Sequence, residues 1–216
     1  MNTNRETVLL LHGLWMNHHV MTPLAMRLSK AGFATRGVSF ASMRASLDEN
    51  AALVTRELAS LAGAVHIVAH SYGGVVTLRA LAMTPNPLVK RIVLLGSPVG
   101  GSVAGAIIAA RPTLARLLGT TRTVWAASPR LVVPPAVDVG AIAGTTRIGL
   151  GRFFVDLPQP NDGVVVVEET RLPGLTDHLT LATSHSTMLV SARVARHVEA
   201  FLRTGRFRLE FSSGSI

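Results

Sequence analysis

Short hydrophobic runs alternate with amphipathic stretches along most of this chain. The runs are rich in Val, Ile, Leu and Ala and contain four to seven residues, a length typical of buried strands. The predicted strands cover residues 8–11, 34–40, 65–69, 91–95 and 137–143, and the predicted helices cover 23–31, about 46–62, 72–83 and 187–203. This alternation predicts an α/β fold, with a mostly parallel twisted sheet covered by helices on both faces.

Particular residues indicate where two helices start and which face of the last helix is apolar. Thr22 is the predicted N-cap of the first helix, with Pro23 at its first helical position. Ser46 and Glu49 have the spacing of a capping box, which opens the second helix. The last helix is predicted from one apolar face, formed by Leu189, Val190, Val194, Val198 and Phe201.

Two stretches fall outside the alternation and are long for connections in a compact domain. Residues 101–135 contain helix-like pieces broken by four prolines, and residues 144–163 are rich in Gly and Pro. Long ordered connections commonly act as lids or binding loops. We therefore expect a single domain over residues 1–216, with 101–135 inserted as a cap after a core strand.

The composition restricts the class of protein. With 216 residues, of which 48% are hydrophobic, the chain can form one large core, and disorder as the main state is excluded. Cysteine is absent, which excludes a disulfide framework, a thiolate metal site and a Cys nucleophile. Together with the lack of a secretory signal pattern, this favours a cytoplasmic location. The uncharged window 92–110 has the length of a membrane span, but its Gly and Pro turn residues predict a strand, a loop and a helix.

The charge balance is basic, with 21 Lys and Arg against 12 Asp and Glu and a net charge of +9. A basic surface suggests weak association with an anionic membrane surface, and the alternative is an ordinary solvated surface. No recognition-helix motif is present and aromatic residues make up only 5%, so we expect no nucleic-acid partner. The sequence pattern does not specify an oligomeric state.

The strongest chemical signal lies where a strand pattern changes into a helix pattern at Ser71. The flanking residues Ala69 and Gly73 are small, as a sharp turn with close backbone contacts requires. Such a turn presents the serine hydroxyl above the sheet, at a helix N-terminus whose free N–H groups stabilise negative charge. These features indicate a nucleophile, and the alternative is a serine that only caps a helix.

The segment Ala-His-Ser-Tyr-Gly-Gly around Ser71 resembles the nucleophile elbow of the α/β-hydrolase superfamily, in the variant of small bacterial serine esterases and lipases. Ala69 stands where the commonest form of this motif has glycine. A second segment, His-Gly-Leu-Trp at residues 12–15, resembles the superfamily's early His-Gly loop. The resemblance implies that the backbone N–H groups of Leu14 and Tyr72 form an oxyanion hole.

A serine nucleophile needs a base, and the superfamily order along the chain is Ser, acid, His. Three histidines follow Ser71. His197 lies inside the last predicted helix, a position typical of a surface or packing side chain. His178 precedes the apolar run 179–182, so it would lie at the wrong end of any strand formed there. His185 follows that run at the carboxyl edge of the sheet, where open α/β sheets place their sites. We take His185 as the base.

Asp162 is the favoured acid, because Asn-Asp-Gly-Val-Val at 161–165 resembles the acid-bearing segment of related hydrolases. Asp-Gly also forms tight turns, so a turn residue without a catalytic role is the alternative. Asp156 is the second candidate, whereas Asp138 falls near a strand start and Asp177 is typical of a turn. Asp156, Asp162, Glu168 and Glu169 could gather a cation, but we expect a solvated acidic loop, with no metal and no organic cofactor.

The predicted activity is hydrolysis of a small carboxylic ester by Ser71, His185 and Asp162. The predicted substrate-binding residues are Trp15, Leu117 and Trp125, two of them in a cap that covers the acyl pocket. A thioesterase or acyltransferase with the same triad is one alternative. A non-catalytic binding or membrane-surface module that retains the fold is another.

Overall fold

The computed structural model describes residues 5–127, 130–148 and 156–207. Within these residues, six strands form one sheet: β1 (Thr7–Leu11), β2 (Ala34–Val38), β3 (Val65–His70), β4 (Val89–Leu95), β5 (Asp138–Gly144) and β6 (Asp177–Leu181). The spatial order is β2-β1-β3-β4-β5-β6, and every neighbouring pair is parallel. The predicted α/β class and the five predicted strands are confirmed, and β6 adds an edge strand.

Helices cover both faces of the sheet. They are α1 (Thr22–Lys30), α2 (Leu47–Ala59), α3 (Tyr72–Met83), α4 (Val103–Ala110), α5 (Pro112–Ala115), α6 (Arg122–Ala127) and α7 (Ala192–Thr204). Alternate residues of a strand point to opposite faces. Leu9 and Leu11 of β1 accordingly belong to the core cluster formed with α2 and α3, whereas Val8 and Leu10 belong to the cluster formed with α1 and α7.

The strand order creates an opening at the carboxyl edge of the sheet. From β1 the chain moves outward to β2 and then returns to β3 on the other side of β1. Connections on the two sides of such a switch point diverge, and the crevice between them is where α/β folds bind ligands. His12 directly follows β1 and Ser71 directly follows β3, so both lie at this crevice.

The start of α2 agrees with the sequence prediction, whereas the start of α1 does not. Ser46 and Glu49 form the predicted capping box at the start of α2. Thr22 is not an N-cap, because a 3-10 helix (His18–Met21) runs directly into α1 and places Met21 at the cap position. Asn17 caps that 3-10 helix instead, by accepting a hydrogen bond from the His19 amide.

The predicted helix over 187–203 is wrong in its first turn. Thr187–Leu189 form a separate 3-10 turn, and α7 begins at Ala192 because the Ser191 hydroxyl caps the Val194 amide. Val190, which was expected on the buried face, is therefore 53% exposed. The apolar face of α7 beyond it is buried as predicted.

The segment between β4 and β5 is mostly helical in its described part. It comprises α4, α5, a 3-10 helix (Arg116–Thr121) and α6, and Leu118 and Trp125 join the same core cluster as α2 and α3. Residues 128 and 129 of the predicted cap, and 149–155 of the predicted Gly- and Pro-rich loop, lie outside the described residues. The uncharged window 92–110 is the end of β4, a turn and α4, as predicted, and no described helix has the length and apolarity that a bilayer crossing needs.

Candidate active site

Ser71 lies at the bend between the end of β3 and the start of α3. Its backbone has φ 54° and ψ −124°, a conformation that costs a non-glycine residue about 1–3 kcal/mol. The Ser71 amide holds the bend by donating to the Leu95 carbonyl (2.9 Å) of the neighbouring strand. A Cβ atom at Gly73 would stand 2.5 Å from the His12 carbonyl oxygen, so only glycine fits two residues after the serine.

His185 and Asp162 form a buried hydrogen-bonded pair at the same edge of the sheet. The His185 Nδ1–H donates to Asp162 Oδ2 over 2.7 Å, and the two side chains are 8% and 1% exposed. The other carboxylate oxygen, Oδ1, accepts from the amides of Val164 (3.0 Å) and Val165 (2.7 Å). The His185 amide also donates to the Asp162 carbonyl (3.0 Å). Backbone and side chains therefore hold the two residues in one arrangement.

These contacts determine the charge state of the carboxyl group. Burial by itself raises the pKa of Asp162, but the His185 charge, its N–H donor and the two backbone amides outweigh burial and hold that pKa below its ordinary value. The carboxylate is therefore ionised at neutral pH. An ionised acceptor on Nδ1 fixes the His185 tautomer and leaves a lone pair on Nε2.

Two glycines allow the pair to approach the sheet. Gly96, directly after β4, has φ 53°, and a Cβ there would lie 3.0 Å from Asp162 Oδ2 and 3.1 Å from His185 Nδ1. A Cβ at Gly144, the last residue of β5, would lie 2.8 Å from Asp162 Cβ. Neither glycine is a predicted site residue. The available signal was a glycine at the end of each of two strands, at the edge where parallel sheets place their sites.

His70, the residue before Ser71, is a further histidine of the site that the sequence pattern did not single out. Its Nε2–H donates to the His185 carbonyl (3.0 Å), and the two rings lie 4.6 Å apart between centroids. Burial, and next the nearby His185, lower the pKa of His70 to about 3, so this ring is neutral at physiological pH. His70 thus joins the segment before Ser71 to the loop that carries His185.

The Ser71 hydroxyl itself has no hydrogen-bond partner within the described residues, His185 included. A serine hydroxyl turns freely about its Cα–Cβ bond, and a nucleophile–base hydrogen bond commonly tightens only in the complex with substrate. The structure therefore brings Asp162 and His185 into direct contact, and the hydrogen bond from His70 joins the segment of Ser71 to the loop of His185.

The peptide that joins Gly13 to Leu14 lies against Ser71. A Cβ at Gly13 would be 3.0 Å from Ser71 Cβ and 3.5 Å from Ser71 Oγ. His12 Nδ1–H donates to the Gly13 carbonyl (2.8 Å), while His12 Nε2 accepts from the Phe40 amide (3.2 Å). Because the Gly13 carbonyl and the Leu14 N–H belong to one planar peptide group, this hydrogen bond is one restraint on the direction of the Leu14 N–H.

The two amides that the resemblance implies as oxyanion donors are available. Tyr72 is the first residue of α3, where a backbone N–H has no acceptor within the helix. The Leu14 amide has no acceptor in the described part of the chain either. Burial lowers the pKa of His12, so the ring that contacts the Gly13 carbonyl is neutral.

Comparison with known proteins assigns the chain to a family. The model of the alpha/beta hydrolase family matches residues 8–206. The chain belongs to the α/β-hydrolase family. The superfamily predicted from the two motifs is thereby confirmed.

Solved structures show the fold of this family again. The mature form of the Bacillus licheniformis lipase BlEst2 has a TM-score of 0.79 at 18% identity, over 95% of this chain and 94% of that one. The metagenomic carboxyl esterase MGS0156 has a TM-score of 0.69 at 21% identity, over 95% and 76% of the two chains. A monoacylglycerol lipase of Paleococcus ferrophilus has a TM-score of 0.64 at 13% identity, over 92% and 94%. No curated protein matches this chain by sequence.

The other aspartates considered as acid are engaged elsewhere in this α/β hydrolase. Asp156 is 91% exposed and forms an ion pair with Arg147 (2.7 Å). Asp138 pairs with Arg91 (3.2 Å), and Asp177 accepts from two backbone amides. Among the described residues, Asp162 is therefore the aspartate that contacts His185.

The remaining histidines and the acidic loop also have structural contacts. His178 Nε2 lies 2.8 Å from Thr170 Oγ1, and His197 is buried in α7. The expected solvated acidic loop is wrong for Glu169, which is 8% exposed and accepts from the amides of Val103 and Val166. Burial raises the pKa of Glu169. The described residues contain no cluster of three or more metal-binding side chains.

The structure joins two of the predicted substrate-binding residues, Trp15 and Leu117, and places the third, Trp125, beside Tyr72. Trp15 is 62% exposed, and its Nε1–H donates to the Leu117 carbonyl (2.7 Å). Leu117 is 45% exposed. Trp125 is buried, and its ring meets that of Tyr72 edge to face at 5.8 Å between centroids. Trp125 thus joins the segment to the residue that follows Ser71.

The depressed pKa of His70 predicts a pH-dependent stability. The unfolded state binds a proton at His70 below about pH 6.5, whereas the folded state does so only near pH 3. The contribution of the neutral ring to the free energy of unfolding is therefore fully present above pH 6.5. It decreases as the pH falls, by up to about 1.4 kcal/mol per pH unit. We expect His70→Gln, which keeps an N–H donor but cannot be protonated, to reduce the slope of unfolding free energy between pH 6.5 and pH 4 by about 1 kcal/mol per unit.

Chemical denaturation at a series of pH values measures this slope. The exposed His19 provides the control variant His19→Gln. Equal slopes for wild type and His70→Gln would contradict burial of a neutral ring at position 70.

Proposed function

We propose that this α/β hydrolase is a serine hydrolase of carboxylic esters, with Ser71 as nucleophile, His185 as base and Asp162 as acid. The observation that carries the proposal is the buried Asp162–His185 hydrogen bond, at 2.7 Å, beside a serine in a strained backbone bend. A surface serine that only caps a helix would need neither the bend nor the pair. The solved structures described as a lipase, a carboxyl esterase and a monoacylglycerol lipase support an ester as substrate.

The proposed steps follow from the donors and acceptors present. Ser71 Oγ attacks the acyl carbonyl carbon while its proton moves to His185 Nε2. The Nδ1–H of His185 stays bonded to the Asp162 carboxylate, which stabilises the imidazolium charge. The Leu14 and Tyr72 amides hold the oxyanion. The imidazolium then protonates the leaving alcohol, and a water activated in the same way releases the acid and restores Ser71. Neither a metal ion nor an organic cofactor takes part in these steps.

A thioesterase or acyltransferase uses the same residues on another donor or acceptor, and product analysis with acyl-CoA and with added alcohols distinguishes these reactions from ester hydrolysis. A non-catalytic module that retains the fold is the alternative of another class. It predicts no labelling of Ser71 by a fluorophosphonate probe. A cytoplasmic location stays a prediction of the sequence.

We further propose that the chain is one domain in which residues 101–135 cover the acyl pocket. Trp125 contacts Tyr72, and Leu117 accepts from Trp15 beside the Leu14 amide, so this segment borders the bend on two sides. Both contacts place apolar side chains next to the proposed oxyanion donors. An acyl chain bound to Ser71 would therefore extend toward this segment.

The triad assignment predicts the effect of two substitutions. Ser71→Ala should abolish both turnover of p-nitrophenyl butyrate and labelling by a fluorophosphonate probe. Asp162→Asn should lower kcat by about 10³ to 10⁴, because the histidine tautomer is no longer fixed. The control is Asp156→Asn, an exposed aspartate paired with Arg147, which should retain wild-type kcat. Turnover by folded Ser71→Ala protein at the wild-type rate would refute the assignment.

The acyl-pocket proposal predicts a change in chain-length preference. Leu117→Ala removes three carbon atoms of exposed apolar side chain, so we expect KM for p-nitrophenyl decanoate to rise about fivefold, equivalent to about 1 kcal/mol. KM for the acetate should change by less than about twofold, because a short acyl group does not reach this side chain. Steady-state kinetics measure both values, with Met26→Ala as control for another exposed apolar residue. Equal effects on both esters would mean that Leu117 has a structural role only.

We also propose a weak affinity for anionic membranes at the same segment. Arg44, Arg116 and Arg122 are exposed, and Arg116 precedes the exposed Leu117, whose carbonyl accepts from Trp15. The Thr120 amide donates to the Met43 carbonyl (3.2 Å), which brings the loop of Arg44 to the 3-10 helix of Arg116. Cationic groups around exposed apolar groups match the surface of an anionic bilayer.

Co-sedimentation with vesicles tests this affinity. Binding should be stronger to mixed phosphatidylglycerol and phosphatidylcholine vesicles than to phosphatidylcholine alone, and should weaken with salt. Arg44→Gln with Arg116→Gln should weaken it about tenfold or more, at about 1 kcal/mol per charge. The matched control is Lys30→Gln with Arg196→Gln, which removes the same charge from α1 and α7. Equal binding by the two double variants would exclude this surface.

A further inference from the structure

Trp15 has a backbone conformation that its own side chain does not explain. Among the described residues, Trp15, Ser71 and Ala136 are the non-glycine residues with positive φ, and Trp15 has φ 61°. Such a conformation persists only where surrounding contacts determine it. Trp15 is 62% exposed, so burial does not hold the residue in place.

The contact that does hold it is a hydrogen bond to the segment over the site. The indole Nε1–H donates to the Leu117 carbonyl over 2.7 Å, between residues 102 positions apart in sequence. Leu117 lies in a 3-10 helix whose Thr120 is itself fixed, since its amide donates to the Met43 carbonyl (3.2 Å) and its hydroxyl to the Ala45 carbonyl (2.6 Å). The Leu117 carbonyl is therefore an acceptor with a fixed position.

Trp15 is also the direct neighbour of Leu14, whose amide is a proposed oxyanion donor. On the other side, the Gly13 carbonyl is held by His12. The Gly13–Leu14 peptide is thus anchored to the core through His12 and to the 101–127 segment through Trp15. Without the second anchor, a residue in a strained conformation would relax, and the Leu14 N–H would turn with it.

We propose that Trp15 is a positioning residue, which uses its indole N–H to hold the Leu14 amide in the direction that binds the oxyanion. The proposal rests on the proposed function. In this proposal the exposed Trp15 acts on the transition state indirectly, because its indole N–H holds the backbone amide of Leu14. The geometry of the oxyanion hole then depends on the position of the 101–127 segment.

The test is Trp15→Phe, which keeps an aromatic ring and removes the N–H. We expect kcat to fall about tenfold for esters of every chain length, with KM within about twofold of wild type, because an oxyanion contact acts in the transition state. 3-Benzothienylalanine in place of Trp15 preserves the shape of the indole and lacks only the donor, so it should reproduce the loss. Met26→Ala, at another exposed apolar residue that lies outside the proposed site, should leave kcat for the acetate at its wild-type value.

A second readout does not depend on activity. Amide hydrogen exchange of residues 12–16 should become faster in Trp15→Phe, while the exchange of β3 stays the same. The proposal is overturned if kcat and exchange are both unchanged, or if the loss is entirely in KM and grows with acyl length, which would make Trp15 a substrate contact. Failure of the proposed function gives a different result, because the wild-type protein then hydrolyses no ester. The exchange experiment still shows in that case whether the Trp15 hydrogen bond holds residues 12–16 in place.

Discussion

A carboxylate that is 1% exposed is the group on which the rest of this site depends. An ionised carboxylate inside a protein is costly unless it is paired and hydrogen-bonded. Asp162 meets this requirement with the His185 imidazole on one oxygen and the amides of Val164 and Val165 on the other. These donors can reach it only if the loop is tightly folded. The chain reversal is closed by a bridge between Asn161 and Val166 and by the Asn161 side chain, which accepts from the Gly163 amide.

Glycines around that group allow the chain segments to meet. The segments that follow β1, β3 and β4 and the end of β5 lie close to neighbouring parts of the chain at the carboxyl edge of the sheet. A glycine stands at each of these close approaches. The positions are Gly13, Gly73, Gly96 and Gly144, and at each of them an added Cβ would lie within about 3 Å of a neighbouring residue. The same closeness lets His70 donate to the His185 carbonyl. The parts of the site are therefore in close contact through their backbones.

The helical segment between β4 and β5 is joined to this part of the structure at several points. The buried Glu169, seven residues after Asp162, accepts from the Val103 amide at the start of α4. Trp125 contacts Tyr72, and Leu117 accepts from Trp15. The segment is thus joined to the part of the chain that follows Asp162 and to the residue that follows Leu14. A change in its position would affect the two halves of the site together.

Much of this was determined locally and could be predicted from the sequence. The strands, the capping box of Ser46 and Glu49, and the bend at Ser71 depend on residues within a few positions of one another, so the pattern specifies them. The family followed from two such local motifs. The start of α7 was missed because the apolar spacing continues through Val190, while the Ser191 cap decides where the helix begins.

Tertiary structure decided the contacts between distant residues. Whether Asp162 or Asp156 faces His185 depends on how the 156–165 loop folds back on the ends of β4 and β5, and nothing in the local sequence separates the two carboxylates by burial. The same holds for Glu169, expected in solvent and found buried, and for the hydrogen bond from Trp15 to Leu117. The sequence determined which groups could react and where the chain bends. Only folding determined which of them lose their contact with water, because desolvation depends on the segments that pack around a group.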